Sequence, residues 1–295
     1  MKRGLASLLA FMMMVAIIAP SAVSADDVIN EKLGVPIVVY GANLSDDEKA
    51  SVKESLKVAE EAEVEELSVD GNDLIKYIPG GDRNARMYSS AKITRQEEGE
   101  GIVINIVTPD NITQVTADMY ATAMLTAGIE DAVVEVAAPK KVTGHSALVG
   151  IYKAYEVSGE VLDTERTDVA NDELSLATKL SEKAGVDQDE VAKLLTEIKK
   201  QISEQKPATK EDVEQIVQDQ LKKFNIELND ADRQLLIDLM DRISKLDIDF
   251  TKLNEQLSDM ALKIKDKLGD IDPSFWEKVK EFFRNMADSL KSLFS

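Results

Sequence analysis

The distribution of glycine and proline constrains this chain more than any motif. The two residues recur through positions 34–159, but beyond Gly185 only Pro207, Gly269 and Pro273 remain. A stretch dense in breakers is cut into short elements, whereas one without them can run as long helices. The expected fold class is therefore α/β, a mixed sheet with packed helices, followed by an all-α helical-bundle or coiled-coil region. The expected divisions are a signal peptide over 1–25, an α/β domain over 26–160, linking helices over 161–206, and a helical hairpin or coiled-coil bundle over 207–295.

The back half carries the most regular pattern. Thr209 with Asp212 has the spacing of a capping box ahead of "KEDVEQIVQDQLKKF", and Asn229 opens a further helix. Leu236, Leu239, Ile243, Leu246, Phe250, Leu253, Leu257, Met260 and Ile264 alternate spacings of three and four, an apolar seam of coiled-coil type. One continuous helix along that seam would be roughly 60 Å long at 1.5 Å per residue. Asp272 and Pro273 begin another helix, in which Trp276, Val279, Phe283, Met286, Leu290 and Leu293 repeat the spacing. Short connections favour helices near 209–224 and 273–294 folding back along the long one, which makes the seam intramolecular. The rival arrangement is a homo-oligomer assembled through 229–294. The aromatic stripe of the last segment could also lie on a membrane surface, but its polar face mixes lysines with acids, which favours packing.

The front half reads as alternating strands and helices. "PIVVY" is a short buried strand, and Ser45 with Glu48 starts a helix at capping-box spacing. "EVEELSVD" is a strand and "NDLIKYI" a short helix ended by "PGG". "ARMYSSAKITRQ" and "IVINIVTP" flank the glycine turn "EEGEG" and are expected to pair as a β-hairpin. Asn111 and Gln114 have capping-box spacing ahead of a helix that places Ile112, Val115, Met119 and Ala123 on one face, with Gly128 as its C-cap. "EDAVVEVAAP" is the next strand and "SALVGIYKAYEVSGE" the last helix of this half.

The first 25 residues have the form of a secretory signal: the basic "MKRG", a short apolar core, and Val23 and Ala25 before an expected cut after Ala25. An uncleaved anchor would need a longer apolar run, and no later stretch is apolar enough to span. The expected location is therefore secreted or extracytoplasmic, with association to the cell wall as one form of it. The chain has no cysteine, which removes disulfides and a lipid-anchored N-terminus. Loss of Lys2 and Arg3 with the signal takes the formal net charge from −20 to −22. Such a surface repels nucleic acid and anionic headgroups. An anionic wall polymer would be met only through divalent cations, the one ion expected to matter; no cofactor is expected.

Chemistry-bearing patterns are few. "GHSAL" suggests a nucleophile elbow at Ser146, but that turn needs glycine two residues later, where Leu148 stands. A serine triad also needs a histidine arriving from elsewhere, and His145, beside the serine, is the only one in the chain. A Ser–Lys pair with Lys140 or Lys141 is the remaining nucleophilic option. Otherwise "VTGHSALVG" is a strand-to-helix turn, with Thr143 or Ser146 as the cap and Gly144 in an unusual backbone conformation. Asp270, Asp272, Ser274 and Glu281 stand at calcium-loop spacing, yet Phe275 occupies the glycine position and Pro273 interrupts the loop. "IPGGDRNA" lacks the lysine and hydroxyl of a phosphate loop. No catalytic, cofactor or metal residue is assigned. The polar residues placed as pocket candidates are Ser89, Ser90, Asn111, Thr113 and Ser146.

The segments "MYSSAKI", "EGEGIVINIVTPDNITQVT", "YATAMLTAGIEDAVVEVAAP" and "VTGHSALVGIYKAYE" occur in order, and together they resemble the YpuA-like family of exported proteins of spore-forming Gram-positive bacteria. The likeness covers roughly residues 35–200. It implies a signal peptide, an α/β domain followed by helices, no assigned activity, and no catalytic residue to carry over. The expectation is a non-enzymatic envelope protein that binds a protein or cell-wall component. The alternative is an enzyme acting on wall material through carboxylates or the polar residues just named.

Overall fold

The computed structural model describes residues 33–184, 187–246 and 248. The signal segment, the seam from Phe250 onward, the Asp270–Glu281 loop and the 273–294 helix lie outside the described residues. Among the described residues no helix is long and apolar enough to cross a membrane.

Five strands form one sheet in the order β2-β1-β3-β5-β4. β1 (Ile37–Gly41) and β2 (Glu65–Val69) are parallel, joined through helix α1 (Asp46–Ser55). β4 (Ile102–Ile106) and β5 (Ala132–Ala137) are parallel, joined through α3 (Ala117–Ala127). β3 (Ser90–Arg95) runs antiparallel to both β1 and β5 in the centre. Side chains alternate across the pleat. Val39, Ala91, Ile93, Val134 and Val136 enter the main core, while Val38, Tyr40 and Ala137 meet Val52 and Leu56 on the opposite face.

Several local signals act as their chemistry requires. Ser45 and Glu48 close a reciprocal capping box on α1, and Asp70 does the same with Asp73 at α2 (Gly71–Tyr77). Gly128 ends α3 in the left-handed region.

Three expectations are corrected. The two strands flanking "EEGEG" do not form a hairpin, because β5 lies between them. The Asp131 carboxylate accepts from the N–H groups of Gly99 and Gly101, and the Asp131 carbonyl from Gln96, so the turn is fastened to the approach to β5. Asn111 does not cap a helix. Residues 111–113 pair with Val142, the Asn111 amide donates to the Ala138 carbonyl at 2.8 Å, and α3 starts six residues later under a Thr116 cap. The long seam helix ends at Ser244: α8 (Asp230–Ser244) closes with i→i+3 type bonds from Lys245 and Leu246, and Leu246 and Ile248 turn back onto the core. Arg242 anchors that end by reaching Asp168 and Asp172.

The remaining helices build outward from the sheet. α4 (His145–Val157) lies on β1 and β3, and α5 (Thr164–Ala184) packs on α3. α6 (Gln188–Gln205) covers α3 and α5, and α7 (Lys210–Phe224) lies between α6 and α8. The Thr209–Asp212 capping box is formed, and Lys210 reaches Asp238 at 2.5 Å, so α7 folds back along α8 as the short connection requires. Leu236, Leu239 and Ile243 are buried within the chain, in a core continuous from the sheet to α8.

Candidate functional site

Four parallel strands end on the same side of the sheet, and α4 begins there. An open cleft of about 390 Å³ lies above that edge. α2 contributes Leu74, the segment before β3 contributes Ala85 to Tyr88, the turn into α4 contributes Val142 to Ser146, and α5 contributes Asn171. The carboxyl edge of an α/β sheet is where such folds place ligands.

The cleft owes its shape to close backbone approaches. Gly41 lets the 85–88 segment lie on the end of β1, since a Cβ there would sit 2.4 Å from the Met87 carbonyl oxygen. Gly144 holds φ at 105° and is itself the N-cap of α4, with no side-chain cap. This corrects the expectation that Thr143 or Ser146 caps the helix. The Gly144 carbonyl accepts from the Tyr120 hydroxyl at 2.6 Å and the Ser89 hydroxyl at 3.2 Å. That carbonyl is therefore fixed, and the helix start is set by tertiary bonds rather than by a local cap.

Ser89 and Ser146 are brought together. Their hydroxyl oxygens are 2.5 Å apart, and Ser146 Oγ also accepts from the Ser89 N–H at 3.2 Å. With the Ser89 proton given to the Gly144 carbonyl, the Ser146 proton goes to Ser89 Oγ, and both hydroxyls are spent within the fold. Ser90, the next residue, is buried in the sheet and its Oγ accepts from the Gly41 N–H at 3.3 Å. Thr113 donates to the Val142 carbonyl at 3.0 Å. Ser90, Asn111 and Thr113 therefore fasten strands and loops and do not line the cleft.

Among the described residues no base is aimed at Ser146. His145 Nε2 stands 3.4 Å from the Thr178 hydroxyl on α5. Burial lowers the His145 pKa, opposed by Glu182, so the ring is neutral at pH 7. Lys140 lies over the Tyr88 ring, 3.8 Å from its centroid, and pairs with Glu48 at 2.8 Å. Its ammonium is thus directed at Tyr88 and Glu48 rather than at the Ser146 hydroxyl. Among the described residues no cluster of three or more His, Asp or Glu side chains is placed to hold a metal ion.

Two lining residues carried no sequence signal. Arg86 and Asn171 have no hydrogen bond or ion pair from their side chains among the described residues. They are separated by most of the α/β part of the chain, and only the fold brings them to one cleft.

A polar cluster lies deep in the helical layer behind α4. Lys199 on α6 and Glu173 on α5 are 0% and 2% exposed at their side chains and pair at 2.6 Å. Thr126 donates to the other oxygen of Glu173 at 2.6 Å and accepts from Lys199 at 3.3 Å. The third Lys199 proton faces the Thr122 carbonyl at 3.4 Å. Burial pushes the Lys199 pKa down, against the pull of Glu173. The Tyr152 hydroxyl is buried without a partner among the described residues.

A mixed five-stranded sheet followed by a helical region, with an open cleft at the strand ends, defines an α/β protein with a helical flank. The chain belongs to the family described as "Protein of unknown function (DUF1002)", whose model matches residues 40–260. It is 34% identical over 273 residues to the uncharacterized protein YpuA of Bacillus subtilis, covering 89% of this chain and 90% of that one. No solved structure matches the chain.

Proposed function

We propose that this is an exported envelope protein that binds a partner or ligand, with the cleft above α4 as its recognition site, and that Ser146 is not a catalytic nucleophile. The observation that carries this reading is the closed Ser89–Ser146 hydroxyl pair at 2.5 Å. A nucleophile needs a base to take its proton, and here the neighbouring histidine and lysine are engaged elsewhere. The signal-like start of the sequence supports export, and the acidic charge suits an extracytoplasmic protein that meets anionic wall polymers only through cations.

The test has two arms. Cells and medium are fractionated with and without a chelator; protein retained in the cytoplasm would refute the envelope reading, and release by chelator would support a cation-bridged association. Purified protein and its Ser146→Ala variant are then incubated with cell-wall material. Equal, background-level turnover is expected, and turnover abolished by the substitution would make the protein an enzyme.

A further inference from the structure

The chain has 55 acidic residues against 35 lysines and arginines, yet among the described residues no aspartate or glutamate lines the cleft. Its polar lining is uncharged apart from Arg86 and includes Tyr88, Thr143, His145, Ser146 and Asn171. The Arg86 guanidinium and the Asn171 amide carry no hydrogen bond or ion pair among the described residues. The main-chain N–H groups of His145 and Ser146, in the first turn of α4, likewise have no protein acceptor among the described residues. The lining also has an apolar part, made by Leu74, Ala85, Met87, Val142 and Val149.

Resting on the reading of this cleft as the recognition site, we infer that it takes a single carboxylate carried on an apolar group, with Arg86 and Asn171 as its binding side chains. Guanidinium matches a carboxylate in plane and in charge, with two parallel N–H···O bonds. The charge count favours a monoanion. Lys140, stacked on the lining Tyr88, is already paired with Glu48, and burial lowers the His145 pKa, so among the described residues the solvent-exposed Arg86 is the one cation of the lining without an acidic partner. A phosphate dianion would leave a charge uncompensated in a strongly acidic protein. The volume of about 390 Å³ lies in the range of small-ligand pockets, and the apolar wall accepts a branched aliphatic side chain beside the acid. The same chemistry is offered by the C-terminus of a peptide ending in an aliphatic residue and by a free aliphatic acid.

The experiment follows the amide resonances of Gly144–Ser146 and the Asn171 side chain in the full chain during titration. The probes are N-acetyl-leucine, N-acetyl-leucinamide, the tripeptide Gly-Gly-Leu and inorganic phosphate. N-acetyl-leucine is expected to shift these resonances, to bind more weakly as salt is added, and to lose about tenfold or more in affinity in Arg86→Gln. Asn171→Leu, which keeps the arginine, should weaken it less. Tighter binding of the tripeptide supports the inference and assigns the source to a peptide end; equal binding supports it with a free acid as source. N-acetyl-leucinamide binding as well as the acid overturns the carboxylate while leaving the recognition cleft standing. Phosphate binding more tightly than N-acetyl-leucine overturns the monoanion. No shift at the cleft with any probe in the millimolar range overturns the inference and the recognition site together.

Discussion

Replacing Lys199 by methionine tests the central buried pair. The substitution keeps the length of the aliphatic stem and removes the cation, so the effect is electrostatic rather than a cavity. The Glu173 carboxyl, 2% exposed, is then left with the Thr126 hydroxyl as its remaining donor. Removing one partner of a buried pair costs about 3–5 kcal/mol. The structure offers an independent ceiling. The stranded carboxyl can escape by taking up a proton, and holding a carboxyl of ordinary acidity neutral at pH 7 costs about 4 kcal/mol. The two routes agree, so Lys199→Met should lose about 4 kcal/mol in urea unfolding at pH 7. The escape route also sets the sign of the pH dependence. A carboxyl whose folded pKa is raised favours the fold below its unfolded value and loses that favour as pH rises. The deficit of Lys199→Met should therefore shrink by about 1.4 kcal/mol per unit as pH falls from 7 toward 4.5. Glu173→Gln strands the lysine instead, and its deficit should shrink as pH rises. The double variant Glu173→Gln/Lys199→Met leaves no buried charge and should be more stable than either single one. Single variants that each cost under about 1 kcal/mol, or a double variant that costs their sum, would refute a buried, coupled ion pair.

Substitutions at four other residues give further outcomes. Asp118, half-buried in the first turn of α3, has its pKa pushed up to about 6 by burial and then by Asp189, against Lys193; the fold holds its proton more tightly than the unfolded chain, so this contribution is present below about pH 4 and lost as pH rises to about 6. Asp118→Asn should then stabilise by about 1–2 kcal/mol at pH 7.5 and give nothing at pH 4, read from urea midpoints at both. Gly144→Ala forces an alanine to a φ of 105° with its Cβ 2.7 Å from the Tyr120 hydroxyl, and should cost about 3 kcal/mol in the same assay; a cost near zero would mean that the Tyr120–Gly144 bond does not set the start of α4. Ser146→Ala leaves the Ser89 N–H without its acceptor and should lower stability by about 1–2 kcal/mol, while Ser90→Ala should act on the sheet edge and leave the cleft resonances unmoved.

How much of this was legible depends on the range over which each feature is decided. Helix starts are decided within four residues, and Ser45, Thr209 and Asn229 cap the helices their spacing predicts. The Asn111–Gln114 pair has the same spacing and fails, because Val142, some thirty residues on, bonds that backbone first. Strand pairing is non-local, so the apolar runs on either side of "EEGEG" named two strands but not the partner of either, and Asp131 on a later segment decided it. The apolar seam is a similar case. Leu236, Leu239 and Ile243 announce an apolar face, but the periodicity continues past Ser244 while the helix does not. Near that end Arg242 pairs with Asp168 and Asp172 on α5, a contact no spacing encodes. The cleft shows the limit most clearly. "GHSAL" is visible because it resembles a motif, and its serine proves to be committed to Ser89. Arg86 and Asn171 read as ordinary surface residues in an arginine-poor, acid-rich chain. They acquire meaning only when the segment before β3 and α5 set them beside the start of α4, in a cleft of an acidic protein that no acid lines among the described residues. A charged residue on a helix is solvated by default, and the same default hid Lys199 and Glu173, whose burial follows from α6 closing over α3 and α5 rather than from any feature of their own segments.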